Sequence, residues 1–151
     1  MPADTSASTA TAIRRTTASA RCASSTTTAS SPGAEWPLHP HQDIESNTYV
    51  VSGHFLHADS LGNNGRLEGG AAQVMTFSHD GDLHSEKNGS TDEPLRFIQF
   101  WILPSTRGLA TTVQQQQFSL EDRTDRWLQI MGPAGEDGWT WPRTRARWSP
   151  T

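Results

Sequence analysis

The chain has 151 residues, a formal net charge of −4 and one cysteine. That length fits one domain, but 33% hydrophobic residues is little for a packed core, and the deficit is concentrated at the ends. No apolar run approaches the roughly 18–20 residues of a membrane-spanning helix, and no apolar leader core follows the start. A lone cysteine, Cys22, excludes an intrachain disulfide and points to a reducing compartment, with the cytoplasm as the expectation. Residues 35–138 hold 15 acidic and 6 basic side chains. A domain of that sign is a poor ligand for DNA or RNA, so no direct nucleic-acid partner is expected.

Taken in order, residues 1–31 contain 23 Ser, Thr or Ala and are expected to be a disordered low-complexity tail. Two other readings stay open there. Arg14, Arg15 and Arg21 against one acid also suit an organellar transit peptide, and the segment could be upstream sequence joined to a real domain. The folded domain is expected over 32–138. Pro37 and Pro40 lack backbone donors, so the segment around Glu35–His41 is expected to lie at a sheet edge or to enter the sheet late. Thr48-Tyr49-Val50-Val51 and His54-Phe55-Leu56-His57-Ala58 read as strands by propensity, separated by Gly53. A turn at Leu61–Gly65 precedes a short strand around Arg66-Leu67-Glu68. Ala71–Phe77 and Leu83–Lys87 follow as strands. Leu95–Leu103, LRFIQFWIL, is apolar enough to be a strand buried on both faces. A short helix is expected at Leu120-Glu121-Asp122 and a last strand at Arg126–Ile130. Residues 139–151 read as an unstructured tail. Short strands with Gly-rich turns every 8–12 residues indicate an all-β sandwich or barrel.

Two pairs of metal-capable residues stand out: His39-Pro40-His41 and His84-Ser85-Glu86. Alternate side chains on a strand share one face about 6.6 Å apart, so each pair can lean onto one ion. Three imidazoles and a carboxylate suit a first-row divalent metal (iron, manganese, nickel or copper) better than calcium or magnesium. Glu45 is a weaker candidate, read more readily as a salt-bridge or histidine-orienting residue. His54 and His57 are three apart on a strand, face opposite ways and read as surface histidines. His79 lies in a turn near the pairs, where a gating or orienting role is open. Phe77, Phe97 and Trp101 either line an apolar pocket or pack the core.

HPHQDIESNTYVVSG, HADSLGN, AAQVMTF, LHSE and EPLRFIQFWILP occur in an order and spacing that resemble the N-terminal cupin domain of the pirin family, over about 32–138. The resemblance implies a single jelly-roll-like cupin β-barrel with His39, His41, His84 and Glu86 as metal ligands. It implies Fe(II) at that site, with manganese, nickel, copper or zinc able to occupy it. Some pirins resemble quercetin 2,3-dioxygenases, whereas animal pirin is a nuclear transcription cofactor. The expected function is therefore a metal-dependent dioxygenase acting on a flavonol-like aromatic, with Glu86 as catalytic group as well as ligand. The alternatives are a non-catalytic metal-binding regulator working through protein partners, and an inactive truncated pirin. Departures from the family include Gln42 after the first pair and Gly69-Gly70-Ala71 in place of a Pro-Gly-Asp turn. The barrel's opening strands and a second cupin are expected to be missing, which leaves strand edges open and favours a homo-oligomer.

Overall fold

The computed structural model of the chain describes residues 21–104, 106–133 and 139–140. Its strands are β1 (Arg21–Ser30), β2 (Glu35–His41), β3 (Glu45–Ser52), β4 (His54–Asp59), β5 (Asn64–Glu68), β6 (Ala71–Thr76), β7 (Asp82–Asn88), β8 (Leu95–Leu103) and β9 (Thr112–Gln117). They form two antiparallel sheets, ordered β1-β8-β3-β6-β9 and β2-β7-β4-β5. The two face each other as a cupin-like jelly roll. One short helix, α1 (Leu120–Arg123), follows, and a two-residue ribbon pairs β10 (Gly132–Pro133) with β11 (Trp139–Thr140). No helix among the described residues is long and apolar enough to cross a membrane.

The barrel interior grades from apolar to polar along its length. The inward positions of β8 are Leu95, Phe97, Gln99 and Trp101, by the period of two that a strand imposes. Leu95 and Phe97 join Val50, Phe55, Leu67 and Ala71 in the hydrophobic core, with Trp36 packed against it. Phe97 meets the Trp36 and Phe55 rings edge-on at 5.6 and 5.2 Å. The other end is lined by histidines. Gly53 makes the β3–β4 turn possible: its φ is +89°, and a Cβ there would lie 2.7 Å from the Pro94 carbonyl oxygen.

Four expectations need correction. Residues 21–30, placed in a disordered tail, form β1 and pair with β8 from Arg21–Leu103 to Ser30–Leu95. Their Thr run is β-branched, and β8 offered an unpaired edge, so an opening strand of the barrel is present. Residues 1–20 lie outside the described residues. Second, β8 is buried mainly on one face: Arg96 is exposed and Ile98 is 38% exposed. Third, Arg126–Ile130 is not a strand; the last strand of the five-stranded sheet is β9, whose glutamines pair with β6. Polar composition masked β9, because its outward side chains face solvent. Fourth, the tail expected over 139–151 is interrupted by β11, and residues 141–151 lie outside the described residues. The helix expected at Leu120 is present, with Ser119 and Asp122 forming a reciprocal capping box. β2 sits at a sheet edge, as its prolines require.

Candidate metal centre

β2 and β7 are neighbouring antiparallel strands in which His39 pairs with His84 and Trp36 with Glu86. The period of two turns His39 and His41 to the same side, and His84 and Glu86 to meet them. The rings gather closely: centroids lie 4.9 Å apart for His39 and His41, 4.4 Å for His39 and His84, and 5.0 Å for His41 and His84. One ring nitrogen from each of the three lies within 4.8 Å of the others. Phe77 and Trp101 close around His41 at 4.9 and 4.8 Å.

Burial sets the protonation. His84 is 2% exposed, and its pKa is pulled down to about 3 by burial first, then by His39, His41 and His57. His41 is lowered by burial and then by His39. Both imidazoles are therefore neutral at ordinary pH, with lone pairs free. His39 turns Nδ1 to the Pro37 carbonyl oxygen at 2.8 Å, which leaves Nε2 for the cluster. Both ring nitrogens of His84 are buried without a hydrogen-bond partner. A buried polar atom left unpaired is costly, and convergent neutral imidazoles with open nitrogens are the donor set of a first-row divalent ion. The residues fit such a metal.

Glu86 stands beside this group rather than within it. It is 5% exposed, its Oε1 lies 4.0 Å from His84 Nδ1, and Gln99 Nε2 donates to that same oxygen at 2.6 Å. Burial raises its pKa, opposed by the Gln99 hydrogen bond and by His39.

The remaining sequence candidates separate. Glu45 is buried on β3, but Ser46 is the residue opposite Trp101, so Glu45 points away from the histidines. His54 faces outward and pairs with Glu68. His57 is not a surface histidine: it is 3% exposed, its ring lies 5.7 Å from that of His84, and its Nδ1 meets Gln73 Nε2 at 3.3 Å. Burial lowers its pKa, with Asp59 opposing. Alternation on β4 puts Phe55 and His57 on one face, and the structure turns that face inward. Gln73 in turn accepts from Gln115 at 2.8 Å, and the Gln115 amide crosses over Gly65, where a Cβ would meet it at 2.5 Å. His79 holds Asp43 at 2.7 Å, and Gln42 donates to its carbonyl oxygen. These bonds fasten the turn after His41.

The chain matches the pirin family over residues 13–102. It belongs to the pirin family. A quercetin 2,3-dioxygenase of Escherichia coli K12 is 35% identical over 106 residues, 70% of this chain and 44% of that protein. A provisionally named quercetin 2,3-dioxygenase of Mycobacterium tuberculosis is 41% identical over 90 residues, 60% of this chain and 36% of its own length. Among solved structures, the bacterial pirin YhhW from Escherichia coli in complex with nickel(II) superposes with a TM-score of 0.58 at 35% identity. That match covers 62% of this chain and 40% of YhhW. This pirin-family chain thus spans less than half the length of the relatives it matches.

Proposed function

We propose that this pirin-family chain is a metal-binding cupin acting as a quercetin 2,3-dioxygenase-type oxidoreductase on a flavonol-like aromatic. The observation that carries the reading is the cluster of three imidazoles with both His84 nitrogens buried and unpartnered. Relatives named for that activity support it. His39, His41 and His84 would hold the ion, with Glu86 as the fourth ligand, and Fe(II) is the proposed occupant. When bound, such an ion supplies Lewis acidity toward a substrate oxygen.

The chain's own residues do the rest. Phe77 and Trp101 flank His41 and offer apolar walls to a planar ring. Glu86, buried beside the imidazoles and held by Gln99, would also serve as base toward a substrate hydroxyl. The two sheets bury His84 and Glu86 and limit bulk water there. The test is incubation of iron-, manganese-, nickel- or copper-loaded protein with quercetin in air. Loss of the flavonol's absorption band with release of carbon monoxide is the expected result. No turnover with any of the four metals would overturn the enzyme reading. Tight metal binding without turnover would leave the regulatory alternative.

A further inference from the structure

Glu86 comes from β7 in the four-stranded sheet, yet its hydrogen bond comes from the opposite one. Gln99, on β8, donates from Nε2 to Glu86 Oε1 at 2.6 Å and to Thr48 Oγ1 at 3.2 Å. Thr48 pairs with Gln99 across β3 and β8. The amide group has two protons, and the two contacts use both. Thr48 and Glu86 are 1% and 5% exposed, so water does not compete freely for either bond. Glu86 Oε2 takes no hydrogen bond from a described residue. Thr48, Gln99 and Glu86 thus form a strut across the barrel, ending on the carboxylate beside the three imidazoles.

We propose that Gln99 is a positioning residue for Glu86. It engages the carboxylate oxygen nearest His84 and so fixes the orientation of the carboxylate toward the ion that the imidazoles bind. This rests on the metal-binding reading above. The direction of the bond matters: an amide N–H favours the ionised carboxylate, against the burial that disfavours it. Without Gln99 the side chain would lose both its orientation and its only described donor. Groups that orient metal ligands typically govern affinity by about 10- to 100-fold.

The experiment measures nickel(II) affinity by chelator competition, and the visible spectrum of the nickel- and cobalt(II)-loaded protein. The proteins compared are the wild type, Gln99→Leu, Thr48→Val, Glu86→Gln and the double variant Glu86→Gln/Gln99→Leu. Gln99→Leu is expected to weaken binding by about 10- to 100-fold and to shift the ligand-field bands. Thr48→Val should do so to a smaller extent, because Gln99 keeps its bond to Glu86. In the Glu86→Gln background the Gln99 substitution should change neither affinity nor spectrum, since its effect runs through the carboxylate. A Gln99 effect of equal size in both backgrounds would mean a merely structural role and would overturn the proposal. So would an unchanged affinity and spectrum in Gln99→Leu. If the wild-type chain binds no nickel, the metal reading fails in that arm alone, and this inference falls with it.

Discussion

At the scale of single residues, the centre is governed by what burial does to imidazole. The pKa of His84 is about 3 in the folded chain against 6.5 for an ordinary histidine. Between those values the unfolded chain binds a proton that the folded one refuses. The contribution is therefore complete above pH 6.5 and is lost as the pH falls toward about 3. Glu86 runs the other way: its raised pKa gives a contribution that is present in acid and lost as the pH rises. For the metal-free protein we expect Tm to fall on acidification below pH 6.5, and to fall less steeply in His84→Phe. Equal slopes would refute the buried neutral imidazole. With metal present, His84→Ala is expected to weaken binding by more than about 100-fold, beyond what loss of an orienting partner costs. Metal content equal to wild type after gel filtration would remove His84 from the ligand set.

At the scale of elements, β1 carries the sharpest difference between composition and structure. Its Ser/Thr/Ala run holds no apolar pattern, so nothing local marks it as folded; its place is set by the edge of β8. Deleting residues 1–30 should therefore uncover that edge, with Ile98 already 38% exposed, and cause association. Light scattering on the deleted and full-length chains checks this; an association state unchanged by the deletion would restore the view of the segment as a dispensable tail. The paired residues of β2 and β7 were legible in the sequence because their meaning is local, two metal-capable side chains at i and i+2. Gln99 and His57 were not. Gln99 lies inside an apolar run that reads as plain core, and its partner Glu86 is in the other sheet. His57 looked exposed because a single strand does not tell which of its faces turns inward. β9 failed for the same reason as β1: its six residues, TVQQQQ, are held by β6 rather than by their own pattern.

At the scale of the whole molecule, the two sheets have different duties. One supplies the three imidazoles and Glu86, and the other supplies Gln99, Phe77 and Trp101 around them. An ion bound only by the folded state stabilises it by mass action, roughly 2.7 kcal/mol when free metal is one hundred times Kd. Addition of nickel(II) or iron(II) to the metal-free chain should accordingly raise Tm, and a chelator should return it. The His84→Ala variant should show no such shift. A wild-type Tm indifferent to every first-row divalent ion would count against the centre as a whole.

β2 lies at an edge, paired on one side only, and two of its seven residues are prolines without a backbone donor. Its hold on the barrel is thus poorer in main-chain bonds than that of any strand with two neighbours. His39 and His41 stand on that strand and His84 on the next. An ion shared by the three would act as a clasp between the strands, replacing through side chains the bonds that proline withholds. Loading and unloading the centre would then be, in kinetic terms, the docking and fraying of β2. Its few amide hydrogens would exchange with solvent fastest when the clasp is open.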